Sequence, residues 1–385
     1  MAKLLIAHGG APTAVINASL AGAVREAQKS GKADGILGAV YGTSGILNED
    51  FLDLGGLDGV SLEALRLSPA SAIGTSRTPL EQKDYEAILR ALKAHDIGYV
   101  LLTGGNGTMD TCAKLWEQCR DAGIIVGGIP KTIDNDLDLT DHAPGYGSAA
   151  RFAAVTMREI AADVAALPIH VCIVEYMGRN SGWVAAASAL SRKKPGDAPH
   201  LILVPEVPFD EADFLEEVQK IWEKGRGVVV AVSEGIHYAD GTPVAPPMYT
   251  SGRAVYFGAV SQYLSRLVIE KLGVKARCET PGILGRCCAE MVSDIDRRET
   301  EALGALAART VLSGIGGMMA GLRRVSDAPY DCEEILIPLN RLTLHERLLP
   351  KEYLDRYDVT EAFLRWCRPL IGEKLPEIVQ WAGKE

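Results

Sequence analysis

Two short segments of the chain carry residue types that suit phosphate chemistry. The first, GGNGT at residues 104–108, follows an apolar run at residues 99–102 and begins a helical pattern. Backbone N–H groups of a glycine-rich loop at a helix N-terminus can approach a phosphate chain closely. The second, PKTIDND at residues 130–136, adds a lysine and a pair of carboxylates. Phosphoryl transfer requires a phosphate cradle, a cation, a metal and a positioned base, so together the segments indicate that reaction.

The polar side chains of these segments suggest separate roles. Asn106 can support a metal or a phosphate through its amide group, and Thr108 can cap the helix that follows. An extended segment would direct the carboxylates of Asp134 and Asp136 to the same side. One carboxylate can then take a proton from a hydroxyl, while the other holds Mg²⁺. Asp and Asn are also common in turns, so this interpretation depends on the neighbouring glycine loop.

Three further loops also come directly after apolar runs. Residues 8–13 (HGGAPT) place a glycine pair at a strand end, where open α/β sheets bind ligands. Arg179, in the loop at residues 177–182, can grip a phosphate or a sugar oxygen with its forked guanidinium group. Glu234, in the loop at residues 233–235, suits sugar hydroxyls. A tight turn, a surface arginine and a solvated acid are the simpler explanations of these three loops.

Short apolar runs alternate with longer amphipathic ones, which is typical of a parallel sheet covered by helices. We therefore predict an α/β fold with two Rossmann-like three-layer α/β lobes, mostly parallel sheets and an active-site cleft between the lobes. The predicted strands cover residues 4–7, 35–41, 99–102, 124–127, 170–175, 201–204 and 228–232. The predicted helices cover residues 17–28, 82–95, 108–121, 148–166, 211–223 and 255–271.

The composition excludes several classes of protein. A net charge of -10 and a pI of about 5.3 argue against a nucleic-acid partner and favour small anions bound in a local basic pocket. Eight cysteines without a disulfide framework indicate reduced thiols. The N-terminal apolar run is too short for a signal peptide, and no segment has the roughly 20 apolar residues of a membrane helix. We therefore expect a cytoplasmic protein with no membrane partner.

These motifs resemble those of the 6-phosphofructokinase family in order and approximate spacing over residues 3–325. The resemblance rests on Gly9-Gly10 with Asn17 and on residues 104–108, 130–136, 177–179 and 233–235, of which residues 130–136 are the most specific. It implies a Mg²⁺-dependent transfer of a phosphoryl group to the 1-hydroxyl of fructose 6-phosphate, giving fructose 1,6-bisphosphate in glycolysis. Family pockets borrow residues across a subunit interface, so a homodimer or homotetramer is expected.

The resemblance also implies roles for individual residues. Asp134 resembles the general base and Thr132 a donor to the transferring phosphoryl group, and Lys131 and Arg179 complete the catalytic set. The residues implied to bind the phosphoryl donor are Gly10, Tyr41, Arg77, Gly105, Asn106, Gly107 and Thr108. Those implied to bind fructose 6-phosphate are Thr132, Asp134, Met177, Gly178, Arg179, Glu234 and Arg286. Asn106 and Asp136 are implied to lie at the Mg²⁺, although the family commonly has Asp at the position of Asn106.

Turn-rich stretches and the resemblance together suggest the domain organisation. We expect a donor-binding lobe from residues 1–140 with about 250–300, and a sugar-phosphate-binding lobe from residues 141–249 with about 301–340. Residues 341–385, which are rich in charge and aromatic side chains, are expected to form a C-terminal helical extension.

The identity of the phosphoryl donor depends on two residues that favour different donors. Family members that use pyrophosphate usually have Asp in place of Gly107, and its carboxylate fills the space for the α-phosphate of ATP. Lys131 resembles the pyrophosphate users, in which a lysine stabilises the leaving phosphate, although plant and trypanosomal ATP enzymes also pair such a glycine with such a lysine. The steric argument favours ATP. The alternative is a reversible, non-allosteric pyrophosphate–fructose 6-phosphate 1-phosphotransferase, whose longer bacterial branch the C-terminal tail resembles.

Other functions account for fewer of these residues. NAD kinases and diacylglycerol kinases share a similar glycine loop, but they do not explain residues 130–136 and 177–179. A non-catalytic sugar-phosphate sensor would need Arg179, Glu234 and Arg286 but not Asp134. Sedoheptulose 7-phosphate stays open as an acceptor beside fructose 6-phosphate, because the two sugars differ only in length and hydroxyl pattern.

Overall fold

The chain folds into two compact units. The computed structural model describes residues 2–225, 227–251, 254–342 and 345–379. The first unit comprises Met1–Ser148 with Arg286–Arg347, and the second comprises Ala149–Gly285 with Leu348–Glu385. Within the described ranges, the helices are all too short or too polar to cross a membrane.

The strands and helices alternate over most of the chain. The strands are β1 (Lys3–His8), β2 (Ile36–Ala39), β3 (Phe51–Asp53), β4 (Ile97–Gly104), β5 (Ile125–Pro130), β6 (Val171–Tyr176), β7 (Leu201–Leu203), β8 (Val228–Ser233), β9 (Pro247–Ser251), β10 (Ala254–Phe257), β11 (Ala276–Glu279), β12 (Met318–Asp327), β13 (Tyr330–Pro338), β14 (Leu354–Asp355) and β15 (Asp358–Val359). The helices are α1 (Ile16–Ser30), α2 (Thr43–Leu47), α3 (Gly59–Leu67), α4 (Gln82–Ala94), α5 (Asn106–Cys119), α6 (Tyr146–Ala166), α7 (Trp183–Ala187), α8 (Glu211–Trp222), α9 (Val260–Leu272), α10 (Leu284–Cys287), α11 (Asp294–Leu312) and α12 (Glu361–Cys367). Short 3₁₀ helices cover Arg120–Ala122, Ser188–Ser191, Ala289–Met291, Leu339–Arg341, Lys351–Tyr353 and Arg368–Ile371.

The first unit is built on a seven-stranded sheet in the order β13-β12-β5-β4-β1-β2-β3. Its strands are parallel from β12 to β2, and the edge strands β13 and β3 are antiparallel to their neighbours. Both faces of the sheet are covered, since Leu4 and Ile6 of β1 belong to one buried apolar cluster while Leu5 and Ala7 belong to another. This three-layer arrangement confirms the predicted fold class for the first unit.

The second unit contains a four-stranded, fully parallel sheet in the order β11-β6-β8-β7. Every residue of β6 and β8 is buried, as expected for central strands covered on both faces. Phe214 and Val218 of α8 pack in the same apolar cluster as Leu264 and Val268 of α9. The second sheet therefore also agrees with the predicted α/β class.

The division of the chain differs from the expected one at its C-terminal half. Residues 301–340 lie in the first unit rather than the second, because β12 pairs with β5 and α11 packs against α1. The two helices touch at glycines: a Cβ atom on Gly22 would lie 2.1 Å from the backbone oxygen of Glu301. Residues 250–285 lie in the second unit rather than the first, since β11 pairs with β6.

The predicted elements match the observed ones best in the sheet centres. Each predicted strand corresponds to one of β1, β2, β4, β5, β6, β7 and β8. The helix predicted to begin at residue 255 begins at Val260, because residues 254–257 form the hairpin strand β10. The expected C-terminal helical extension contains one seven-residue helix, α12, and several shorter elements. Residues 380–385 of that extension, including Trp381, lie outside the described residues.

A buried ion-pair network connects the loop after β5 to α11, β12 and β13. His142 is 1% exposed, and its ring nitrogens lie 2.8 Å from Asp141 Oδ2 and 2.7 Å from Glu299 Oε2. Arg324 also donates to Asp141, and the hydroxyl of Tyr330 donates to Glu299. Burial alone would lower the pKa of His142, but hydrogen bonds from its ring to the two carboxylates raise it to about 9. His142 is therefore protonated at neutral pH.

Ion pairs and hydrogen bonds account for this network without a metal. The ligand atoms of Asp141, His142 and Cys332 lie within 4.8 Å of one another. A protonated imidazole that donates from both nitrogens has no lone pair to offer a metal. Arg324 already neutralises Asp141, so we assign the group a structural role.

We expect His142→Gln to change the pH dependence of stability. Because the folded pKa lies above the ordinary value of 6.5, the stabilisation is fully present below pH 6.5 and is lost as the pH rises through about 9. A shift of this size corresponds to about 3 kcal/mol in the free energy of unfolding. Urea unfolding between pH 6 and pH 10 measures it. The variant should lose this slope, whereas His95→Gln on the surface should keep it; an unchanged slope in His142→Gln would reject the assignment.

Candidate active site

Two glycine loops lie side by side at the carboxyl ends of β1 and β4. These strands pair in parallel, and β1 has β2 on its other side. The chain runs from β1 to β2 and β3 on one side and then crosses to β4 on the other, so the strand order reverses at β1. Ligands bind to open α/β sheets at such switch points. A Cβ atom on Gly9 or Gly104 would lie only 2.4 or 2.2 Å from Oγ1 of Thr108. Glycine is required at both positions because the Thr108 side chain occupies the space between the loops.

Helix α5 begins earlier than its sequence predicts. Its N-cap is Gly105 and its first residue is Asn106, so Thr108 lies within the first turn. The prediction that Thr108 caps the helix is wrong, because its side chain packs on the glycines instead. The shift places the backbone N–H groups of the first turn directly at the loop, where they suit a phosphate.

Lys131 is a buried cation beside the two glycine loops. Its side chain is 4% exposed, and Nζ donates to the backbone oxygen of Ala11 at 2.5 Å, in the loop that follows β1. Burial lowers the pKa of Lys131 to about 8; the Asp134 carboxylate opposes this shift, while Arg77 and Arg286 reinforce it. Three cations and Asp134 therefore belong to one electrostatic group, as expected for a site that binds an anion.

The residues predicted to contact the donor also include Gly10, Arg77 and Tyr41. The N–H of Gly10 donates to the backbone oxygen of Ser76 at 2.9 Å, which joins the first glycine loop to the segment that carries Arg77. Tyr41 has a left-handed backbone (φ 60°), and 64% of its surface is exposed. Its ring lies against Gly74, where a Cβ atom would come within 2.5 Å of the ring. Tyr41 and Arg77 are thus held on adjoining segments.

The segment after Lys131 bends rather than extends. Asn135 adopts a left-handed conformation (φ 53°), and its side-chain oxygen accepts a hydrogen bond from the N–H of Ala143 at 2.9 Å. The expectation of an extended segment is therefore wrong, because an Asn in this conformation closes a turn. Thr132 Oγ1 accepts from the N–H of Asp134 at 3.1 Å. This bond fixes the backbone from which the Asp134 carboxylate projects.

Asp136 and Asn106 form the predicted metal pair. The Asn106 amide nitrogen donates to Asp136 Oδ2 at 3.0 Å and to the Asp136 backbone oxygen at 3.2 Å. Burial raises the pKa of Asp136. Its other oxygen, Oδ1, is buried and has no hydrogen-bond partner among the described residues. A buried carboxylate oxygen without a partner fits Mg²⁺, which prefers such hard ligands. Asn106 donates to Asp136 through its amide nitrogen, so in this arrangement it orients the Asp136 carboxylate.

His8 is a site residue that sequence reasoning missed. It is 1% exposed, Nδ1 lies 2.8 Å from Ser71 Oγ, and the Ser71 hydroxyl donates to the backbone oxygen of Gly74. Burial and the Lys131 charge lower the pKa of His8 to about 3, so the ring is neutral. His8 thus links the end of β1 to the segment that carries Arg77. Its position between an apolar strand and a glycine pair is the signal that could have identified it.

In the second unit, side chains of the loop after β8 bond to the backbone of the loop after β6. Gly178 has a φ of 132°, its N–H donates to Glu234 Oε1 at 3.4 Å, and its carbonyl accepts from the Ser233 hydroxyl. A Cβ atom on Gly235 would lie 1.5 Å from the backbone oxygen of Arg179, so only glycine fits there. These contacts bring Arg179 and Glu234 together in one group.

The predicted site residues thus form two groups, one in each unit. The first unit holds Gly10, Tyr41, Arg77, Gly105, Asn106, Gly107, Thr108, Lys131, Thr132, Asp134, Asp136 and Arg286. The second unit holds Met177, Gly178, Arg179 and Glu234. Arg286 lies in α10, and its buried Nε has no hydrogen-bond partner among the described residues.

Comparison with known proteins decides the family. The model of the family described as phosphofructokinase matches residues 3–311. The chain belongs to the phosphofructokinase family. The resemblance inferred from the motifs is therefore confirmed, and this phosphofructokinase family member is a phosphotransferase.

Several members of the phosphofructokinase family match nearly the whole chain. The pyrophosphate–fructose 6-phosphate 1-phosphotransferase of Xanthomonas campestris pv. campestris is 38% identical over 97% of this chain and 92% of its own length. The enzyme of the same name from Rhodospirillum rubrum is 37% identical over 97% of this chain and 95% of its own length. The crystal structure of a pyrophosphate-dependent phosphofructokinase from Nitrosospira multiformis matches with a TM-score of 0.89 and 32% identity, covering 99% of this chain and 94% of that one.

The metal pair can be tested by magnesium titration. We expect Asp136→Asn to raise the Mg²⁺ concentration for half-maximal activity at least about tenfold, because the neutral amide removes the ligand charge. Steady-state rates at saturating substrates measure this. Asp138→Asn makes the same charge change two residues away and should behave like the wild-type protein. An unchanged Mg²⁺ requirement in Asp136→Asn would rule Asp136 out as a ligand.

Proposed function

We propose that this protein is a pyrophosphate–fructose 6-phosphate 1-phosphotransferase. It transfers a phosphoryl group from pyrophosphate to the 1-hydroxyl of fructose 6-phosphate and so forms fructose 1,6-bisphosphate. The observation that carries the proposal is the buried Lys131 ammonium, bonded to the loop after β1 and grouped with Arg77 and Arg286. A cation removed from water stabilises a compact, highly charged leaving phosphate strongly. The names of the relatives from Xanthomonas and Rhodospirillum support the same donor.

The residues of the first unit account for the chemistry of the transfer. Asp134 is the general base that takes the proton of the sugar 1-hydroxyl as the phosphoryl group arrives. Lys131 and Arg77 neutralise charge on the donor, and Thr132 donates to the transferring phosphoryl group. Bound at Asp136 with Asn106 beside it, Mg²⁺ would supply further charge neutralisation. Because the Lys131 pKa is about 8, the side chain carries its charge at neutral pH.

The residues of the second unit account for binding of the acceptor. Arg179 supplies a guanidinium for phosphate or sugar oxygens, and Glu234 supplies a carboxylate for sugar hydroxyls. Met177 and Gly178 complete this group, and Arg286 is proposed to hold the 6-phosphate. A homodimer or homotetramer is the proposed assembly, by analogy with the family.

ATP is the second candidate donor, and one observation favours it. A Cβ atom on Gly107 would have no other heavy atom within 4 Å, so the first turn of α5 is open at this point. The steric argument for ATP therefore still applies to this residue. The comparisons nevertheless favour pyrophosphate over the ATP preference drawn from the sequence, because full-length relatives at 37 to 38% identity carry the pyrophosphate name.

The donor is tested by steady-state kinetics of the purified protein with fructose 6-phosphate and Mg²⁺. We expect kcat/KM to be higher with pyrophosphate than with ATP. In Gly107→Asp, any activity with ATP should fall at least about tenfold while activity with pyrophosphate persists, because the new carboxylate repels and obstructs the α-phosphate. A higher kcat/KM with ATP would reject the pyrophosphate proposal. Sedoheptulose 7-phosphate, assayed in parallel, tests the acceptor.

Asp134→Asn separates an enzyme from a sugar-phosphate sensor. Removal of a general base is expected to lower kcat by roughly 10²- to 10⁴-fold, since the amide cannot take the hydroxyl proton. Fructose 6-phosphate binding, measured by calorimetry, should change little because Arg179, Glu234 and Arg286 are intact. A wild-type protein that binds the sugar without turnover with either donor would instead support the sensor.

A further inference from the structure

The C-terminal segment of the second unit contacts the residues that end the loop after β6. We call residues 177–182, which include Arg179, the acceptor loop, and residues 348–379 the C-terminal segment. Trp183 follows the acceptor loop directly as the first residue of α7, and it is 2% exposed. Its ring centroid lies 4.9 Å from that of Trp366, 6.1 Å from that of Tyr353 and 6.4 Å from that of Phe363. Three aromatic rings of the C-terminal segment thus enclose Trp183.

A carboxylate makes a second connection between the same two segments. The N–H of Gly182 donates to both oxygens of Glu206, at 3.0 and 3.1 Å, and the N–H of Leu349 donates to Oε1 at 2.9 Å. Burial raises the pKa of Glu206. A Cβ atom on Gly182 would lie 2.4 Å from the Val204 side chain, so the end of the loop is in close contact with the strand end after β7. Glu206 therefore binds the acceptor loop and the C-terminal segment at once.

The acceptor loop is held differently at its other end. There the contacts come from the loop after β8, through Ser233 and Glu234 to Gly178. Those residues are themselves assigned to the acceptor site, whereas Glu206, Trp183 and the C-terminal aromatic residues are not. The second anchor thus has no role in the site as described so far.

We propose that the C-terminal segment positions the acceptor loop for sugar binding, with Glu206 and Trp183 as the positioning residues. The proposal rests on the proposed function, in which Arg179 on this loop binds the acceptor. Hydrogen bonds from backbone N–H groups to a carboxylate are strong. A buried N–H group or carboxylate oxygen that lacks its hydrogen bond destabilises the folded state. A loop ordered before binding loses less conformational entropy when the sugar arrives, which raises affinity. Donor binding is assigned to the first unit and should not depend on this anchor.

Kinetics of Glu206→Gln and Trp366→Leu test the proposal. Gln keeps the size of the side chain but accepts through one oxygen only, and Leu removes the ring closest to Trp183. We expect KM for fructose 6-phosphate to rise about tenfold in each variant, with KM for pyrophosphate changed less than about twofold. Phe214→Leu, a fully buried aromatic residue of α8, is the matched control for lost core packing and should leave both KM values unchanged. Equal changes in both KM values, or no change, would overturn the proposal.

Hydrogen exchange of the Gly182 amide tests positioning without reference to any substrate. In the wild-type protein this N–H is bonded to Glu206 and should exchange slowly, and in Glu206→Gln and Trp366→Leu it should exchange at least about tenfold faster. If fructose 6-phosphate is not turned over by the wild-type protein, the proposed function fails while this measurement still decides the anchoring role. Unchanged exchange in both folded variants would overturn it. Urea midpoints establish that each variant is folded. If only one of the two variants folds, its exchange rate is enough to test the anchoring role.

Discussion

The burial of the Lys131 charge is the constraint on which the site in the first unit depends. An ammonium group removed from water is unfavourable unless other groups replace its hydration. Here the Ala11 carbonyl accepts its hydrogen bond and the Asp134 carboxylate favours its charged form, yet the pKa still falls to about 8. The lysine therefore gains from any anion that enters, since the anion supplies the countercharge that the protein supplies only in part. The positive charges of Arg77 and Arg286 also lower the pKa of Lys131, so an entering anion would be attracted by all three cations.

The two glycine loops can meet at this charge because one threonine fills the space that their missing side chains leave. Thr108 approaches both Gly9 and Gly104 more closely than any Cβ atom would allow. The same packing turns the start of α5 toward the loops and leaves Gly107 exposed beside them. The room at Gly107 and the charge at Lys131 thus arise from one local arrangement, although they favour different phosphoryl donors.

Sequence patterns predicted the parts of this protein that depend on local chemistry. The apolar runs that form the central strands are found where expected, and the glycine and aspartate motifs lie at strand ends. The bend at Asn135 and the first turn of α5 differ because each depends on a contact outside its own segment, with the Ala143 amide in one case and with Gly9 in the other. His8, Glu206 and Trp183 were missed for a related reason: nothing in the neighbouring sequence shows that they will contact Ser71, Leu349 and Trp366, which lie 63, 143 and 183 positions away. Helix α11 has a polar sequence that conceals its tight glycine contact with α1.

The glycine contact between α1 and α11 has a consequence for how the chain acquires its structure during synthesis. Helix α1 ends at Ser30, while its partner α11 begins at Asp294, and β12 follows at Met318. The ribosome must therefore deliver most of the chain before the first sheet can receive its last parallel strand. The strands of the second sheet, from Val171 to Glu279, are complete earlier. Closing so long a loop carries an entropic penalty, which the contacts of α11 and β12 offset once both have formed. Until then one face of the nascent N-terminal segment stays uncovered, and exposed apolar surface of this kind makes a folding intermediate prone to aggregation.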